Sequence, residues 1–170
     1  MAFVPAAASR RQSWPQTIAL ALLAIAPVAL AGFMANLVTL PNIPVWHAGL
    51  VKPWFNPPNW LFAPVWTVLY LAMAWAFFRI LRLPASRARS MAIIAFLVQL
   101  ALNASWSWAF FGWHSTLAGL CVIVPMLAAS IVAAVLFHRI DRPAAWSFAP
   151  YIAWVGFATV LNAAIYALNG

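Results

Sequence analysis

The chain has 170 residues, of which 67% are hydrophobic and 6% charged, and its mean hydropathy is +0.96. A water-soluble domain of this length cannot cover so much apolar side chain with so little polar surface, so the composition excludes a soluble globular protein and reads as an integral membrane protein. Nine basic residues against one acidic residue give a net charge of +8; because the cations sit in short gaps between apolar runs, they read as topology determinants and not as a nucleic-acid surface.

Residues 1–16 form an Ala-rich extension with Arg10 and Arg11, and the membrane domain is expected over 17–170. Thr17 to Leu40 is nearly free of charge and, at about 1.5 Å per residue, long enough to cross about 30 Å of hydrocarbon. A cleaved signal peptide is the competing reading, with Arg10-Arg11 as its basic region and Ala29-Leu30-Ala31 as its cleavage site. Against it, the apolar run continues past Ala31, and cleavage would remove one wall of a bundle. Ser9-Arg10-Arg11 gives weak support to a twin-arginine export signal.

The stretch from Trp46 to Tyr70 organises the rest. Pro53, Pro57, Pro58 and Pro64 remove backbone donors and restrict the residues before them, so the stretch begins as a loop. It ends inside an apolar helix from Asn59 to Leu81. Further apolar segments run from Met91 to Gly112, Leu117 to Phe137 and Ala144 to Leu168, giving five spans in all. Eight of the nine basic residues (Arg10, Arg11, Arg79, Arg82, Arg87, Arg89, Arg139 and Arg142) then fall on one side, and Lys52 alone on the other. The positive-inside rule puts the N-terminus in the cytoplasm and the Trp46 loop outside for a protein of the cytoplasmic membrane. It does not fix orientation in an organelle's outer membrane.

A polar side chain at membrane depth needs a partner or a cavity, so the few present carry most of the functional information. Gln99, Asn103, Trp106 and Phe110 share one helical face. Ala101, Ser105 and Ala109 lie roughly opposite as a small-residue ridge, suited either to a homodimer contact or to a neighbouring span of the same chain. Trp66, Tyr70, Met73 and Phe77 share a face of the second span, and Tyr151, Trp154, Ala158 and Asn162 one of the fifth. Trp14, Trp60, Trp113 and Trp146 lie at span ends and read as an interfacial belt. Trp66, Trp106 and Trp154 lie deeper; with Gln99, Asn103 and Asn162 they suit a large, flat, mostly apolar ligand with a few polar edges.

Ordinary catalytic chemistry has little support. No acidic residue lies within a span, which leaves carboxylate relays and carboxylate metal sites without a basis. His47, His114 and His138 are too far apart for metal-site spacing and read as exposed interfacial histidines. His47 alone lies in the organising loop, where it would cap a pocket or approach a bound metalloporphyrin. Cys121 reads as a buried small apolar residue.

These residues resemble the TspO/MBR family, the tryptophan-rich sensory and translocator (peripheral-type benzodiazepine receptor) proteins. The likeness is carried by Trp46-His47-Ala48-Gly49-Leu50-Val51-Lys52-Pro53-Trp54-Phe55-Asn56-Pro57-Pro58, then Trp60, Phe62, Pro64-Val65-Trp66-Thr67 and Leu69-Tyr70. Gln99 to Asn103, Trp106 and Phe110-Phe111-Gly112 are similar to its third-span motif. Pro150-Tyr151, Trp154, Phe157-Ala158-Thr159 and Leu161-Asn162 are similar to its fifth. The resemblance implies an all-α bundle of five transmembrane helices around a ligand pocket, lidded by the Pro/Trp-rich loop between helices 1 and 2 and usually homodimeric. It implies no obligatory cofactor but porphyrin ligands such as protoporphyrin IX or haem, with sterols as further candidates.

By the same resemblance Trp66, Tyr70, Asn103, Trp106, Trp154, Ala158 and Leu161 match pocket positions, and Gln99 sits one turn along. The lid is Trp46, His47, Lys52 and Pro53. Two positions depart: His47 stands where the family usually has Tyr, and no basic residue follows Leu161 and Tyr166 to complete a sterol pattern. The leading expectation is a membrane receptor or carrier regulating tetrapyrrole handling or stress responses. The alternatives are a light-dependent porphyrin-degrading enzyme using Trp66 and Trp154 as redox residues, and a sterol or porphyrin transporter.

Overall fold

The computed structural model describes residues 13–170; Arg10 and Arg11, and with them the twin-arginine reading, lie outside the described residues. The fold is all-helical: α1 (Trp14–Asn42), α2 (Asn59–Leu81), α3 (Arg87–Ser107), α4 (Thr116–Ile140) and α5 (Arg142–Asn169), each long and apolar enough to cross a membrane. A short 3-10 turn (His47–Gly49) follows α1, and a π-helical turn (Trp108–Gly112) extends α3. α1 starts before Thr17, within the expected extension, and runs unbroken through Ala29-Leu30-Ala31. That helix packs on α2 and α3 as one wall of the bundle.

Helix starts are set by local chemistry. The Ser86 hydroxyl accepts from the Arg89 N–H at 3.1 Å, that of Ser115 from Ala118 at 3.1 Å, and the Asp141 carboxylate from Ala144 at 2.8 Å. Each side chain satisfies an N–H that the helix itself leaves open. Pro15 and Pro143 sit in first turns, where their missing donor costs nothing. Pro64 lies inside α2, within the expected span from Asn59 to Leu81.

The helices close into a ring in the order α1, α2, α5, α4, α3, each packed on two neighbours. Lipid tails are as apolar as the core, so close packing and polar contacts hold the ring together more than burial does. Toward the Arg-rich end, Phe96 of α3 stacks on Phe77 of α2 at 4.2 Å and on Phe137 of α4 at 6.1 Å, and meets Phe148 of α5 at 6.0 Å. This ladder joins four helices into a rigid base.

Arginines close the same end. Arg89 donates from Nε to the Ile80 carbonyl at 3.2 Å and from Nη2 to that of Leu81 at 2.8 Å, tying down the C-terminus of α2. Arg79 reaches Asp141, the chain's single acid, with Nε–Oδ1 and Nη2–Oδ2 both at 3.0 Å. That forked pair joins α2 to the α4–α5 junction.

The outer surface also departs from expectation in one place. Cys121 is exposed on the outward side of α4 and not buried; a thiol is apolar enough to face lipid, so an apolar run says nothing about which way it points. Trp14, Trp60, Trp113 and Trp146 are exposed at helix ends, as an interfacial belt requires.

Burial raises the pKa of Asp141, but the hydrogen bonds from Arg79 and the Ala144 N–H, with the Arg79 charge, outweigh it and hold the carboxyl below its ordinary value of 3.8. Its contribution to stability is therefore complete above pH 3.8 and is lost as pH falls through the lower folded-state value. Asp141→Asn keeps a capping side chain and loses the charge, whereas Asp141→Ala loses both. In detergent melts at neutral pH the Asn variant is expected to lose about 1–3 kcal/mol and the Ala variant about 1 kcal/mol more. Equal melting of wild type and Asp141→Ala would remove this junction from the account.

Candidate functional site

Polar side chains from three helices, and a backbone carbonyl from a fourth, meet between the aromatic base and the loop. The Tyr70 hydroxyl of α2 donates to Asn103 Oδ1 of α3 at 2.8 Å, and Asn103 Nδ2 donates to the Tyr151 hydroxyl of α5 at 3.2 Å. One turn nearer the loop, Trp106 Nε1 donates to Asn162 Oδ1 at 3.2 Å, and Asn162 Nδ2 donates to the Thr116 carbonyl at the start of α4 at 2.8 Å. Asn103 and Asn162 are each 2% exposed. With no water in the hydrocarbon, each amide is committed to protein partners.

Aromatic rings frame this relay. Trp66 lies 5.4 Å from Tyr70 and 6.3 Å from Tyr151, while Trp154 meets Phe62 at 5.8 Å and Phe157 at 5.5 Å. Trp106 stacks on Phe110 at 5.4 Å. No formally charged side chain belongs to the cluster, so its chemistry is stacking and neutral hydrogen bonding. Among the described residues four buried side-chain polar atoms lack a protein partner: His47 Nδ1 and Asn56 Oδ1 in the loop, and Gln99 Oε1 and Trp154 Nε1 within the helices. Trp154 also lines a groove of about 760 Å³ on the outer surface between α2 and α5, together with Trp60, Pro64, Val68, Pro150 and Phe157.

Several expected site residues are thus neighbours. Trp66, Tyr70 and Asn103 form one contact group, and Trp106 joins it to the loop-side cluster of Phe110 and Leu161. Gln99 lies deeper, fully buried, with Nε2 3.8 Å from Met73 Sδ. Ala158 is half-buried on the same helix as Trp154. The expected face of α5 contained Tyr151 and Asn162, yet their function as amide partners shows only in three dimensions. The Thr116 carbonyl leaves no sequence signal at all.

The residues expected to form a lid sort into two kinds. Trp46 packs edge-on against Phe110 at 5.2 Å and stacks on His114 at 5.2 Å, and His47 tilts against Phe111 at 5.7 Å. His47 is 7% exposed, which corrects its reading as an exposed interfacial histidine: the 3-10 turn tucks the ring under the loop. His114 and His138 are exposed. Lys52 turns back on its own loop and donates to the Leu50 carbonyl at 3.1 Å, next to a half-buried Pro53. The small-residue ridge is divided: Ala101 and Ser105 face outward, but Ala109 is 1% exposed. The π turn beginning at Trp108 widens the helix and carries Ala109 inward with Phe110 and Phe111.

Five apolar helices around a charge-free aromatic and amide cluster define a multi-pass α-helical membrane protein. The TspO/MBR family profile matches residues 23–168. The chain is 38% identical over 139 residues to the Tryptophan-rich protein TspO of Chlorobaculum tepidum, covering 81% of this chain and 88% of that one. It is 39% identical over 153 residues to the protein of that name from Archaeoglobus fulgidus, covering 85% and 94%, and 34% identical over 139 residues to the Translocator protein of Bos taurus, covering 79% and 80%. The chain belongs to the TspO/MBR family.

A Cβ on Gly119 would lie 2.7 Å from Phe110 Cδ2 and 2.8 Å from Asn162 Oδ1, whereas one on Gly156 meets nothing within 4 Å. Gly119→Ala is therefore expected to cost about 1–3 kcal/mol in thermal melts. Gly156→Ala, an unobstructed helical site, is expected to be neutral or to stabilise by up to about 1 kcal/mol. The reverse order would place Asn162 wrongly.

Burial, and secondarily the Lys52 charge, lower the His47 pKa from 6.5 to about 4. The loop thus packs around a neutral imidazole, and the stability of that packing is complete above pH 6.5 and declines as pH falls from there toward 4. Limited proteolysis of the loop should accelerate at pH 5 relative to pH 7.5, and His47→Gln should abolish the difference. A pH dependence that survives in His47→Gln assigns it to another group.

Proposed function

We propose that this protein binds a large, flat, mostly apolar ligand of the porphyrin class, protoporphyrin IX or haem, in the cluster between α2, α3 and α5, and acts as a membrane receptor or carrier in tetrapyrrole handling or stress response. The observation that carries this reading is the neutral Tyr70–Asn103–Tyr151 relay flanked by Trp66 and Trp154. Aromatic faces stack on an extended ring system, while amide and phenol groups exchange partners with polar ring edges. In the structure these groups bond one another. Binding therefore parts Tyr70 from Asn103 and offers Trp154 Nε1 and Gln99 Oε1 the partners that the protein does not provide.

The same reading puts the Arg-rich end in the cytoplasm and the lid outside, with the cytoplasmic membrane as the default location. Two copies pair through the exposed Ala101 and Ser105, whose small side chains let helix backbones approach closely.

Protoporphyrin IX should quench tryptophan fluorescence saturably. In a Trp66→Ala, Trp154→Ala double variant the affinity should fall about ten- to a hundred-fold, the size expected for two lost aromatic contacts. Equal saturation in both proteins would contradict the assignment of the ligand to this cluster.

A further inference from the structure

The last residue of α5 makes a contact that the site itself does not require. Asn169 Oδ1 accepts from the Val51 N–H at 3.0 Å, and Asn169 Nδ2 donates to the Val51 carbonyl at 3.0 Å and to the Ile165 carbonyl at 2.7 Å. An asparagine side chain has one carbonyl acceptor and two N–H donors, and here all three are engaged. Its amide mimics a neighbouring strand, pairing with both backbone groups of one loop residue. Val51 belongs to the lid between the 3-10 turn and Pro53, and Trp46, Leu50 and Phe55 of the same loop pack on the cluster of Phe110, Leu161 and Ile165. α5 is also the helix that carries Tyr151, Trp154, Ala158 and Asn162.

We propose that Asn169 is a positioning residue that holds the lid closed, so that ligand exchange with the cluster beneath waits on breaking its clasp to Val51. The ligand half of this inference rests on the reading of the cluster as a binding site. The clasp half does not. The side chain also has a stringent chemistry. Leucine fills similar space with no polar atoms. Aspartate keeps the acceptor for the Val51 N–H but sets a carboxylate oxygen against the Val51 and Ile165 carbonyls. Neither replaces asparagine.

Asn169→Leu and Asn169→Asp are compared with wild type in lipid nanodiscs, by hydrogen–deuterium exchange of the loop over residues 47–56 and by the dissociation rate of protoporphyrin IX. In both variants the Val51 amide should exchange about tenfold faster or more, because Leu removes both hydrogen bonds to Val51 and Asp replaces one of them by repulsion between its carboxylate and the Val51 carbonyl, while amides in the middle of α5 keep wild-type protection. Dissociation of protoporphyrin IX should accelerate by a similar factor. Unchanged loop exchange in both variants overturns the clasp. Faster loop exchange with unchanged dissociation overturns its control of the site. Equally faster exchange throughout α5 makes Asn169 a helix-end stabiliser and overturns the proposal as well. If wild type binds no protoporphyrin IX, the proposed ligand and its control by the lid both fail, and loop exchange still decides the clasp.

Discussion

The hydrogen-bond relay through Asn103 is the constraint on which the middle of the bundle depends. In hydrocarbon an amide cannot turn to water, so Asn103 binds Tyr70 on one side and Tyr151 on the other. That requirement draws α2, α3 and α5 into one register. Asn162 does the same for α3, α4 and α5 through Trp106 and the Thr116 carbonyl. Gly119 is small because these side chains occupy the space where a Cβ would stand. Helices that lipid alone would not order are thus fixed by a few polar contacts and by the phenylalanine ladder at the Arg-rich end.

Stability and adaptability are divided along the membrane normal. The base combines stacked aromatics, carbonyl caps from Arg89 and the Arg79–Asp141 pair. Above it, the relay consists of neutral hydrogen bonds of modest net strength, each open to exchange with another polar partner. The lid is held from two directions: by Trp46 and His47 against Phe110 and Phe111, and by Asn169 on Val51. The contacts that hold the loop are therefore separate from those that hold the base.

Much of this was legible in the sequence, for identifiable reasons. Five apolar runs separated by arginines and prolines specify five helices, since only a helix satisfies its backbone in lipid. The face of Gln99, Asn103, Trp106 and Phe110 follows from helical spacing, and all four turn inward. What stayed hidden has equally physical causes. Apolar residues suit both lipid and core, so hydropathy could not say that Cys121 points outward. Regular spacing placed Ala109 on one ridge with Ala101 and Ser105, and the π turn separated it from them by carrying it inward. The burial of His47, the Thr116 carbonyl and the Asn169–Val51 clasp all depend on contacts between distant parts of the chain, which no local pattern encodes.

The amides of α3 and α5 are proposed as the floor of a ligand site and not merely as structural glue. This assignment is tested most directly by solid-state NMR of the protein in lipid bilayers, following the side-chain amides of Asn103 and Asn162 and the methyl of Ala158 as protoporphyrin IX is added. Large ring-current shifts are expected at all three, with the methyl of Ala128, exposed on α4, unmoved. Shifts confined to Val68 and Ala153, on the outer groove between α2 and α5, with both amides unmoved, would contradict it.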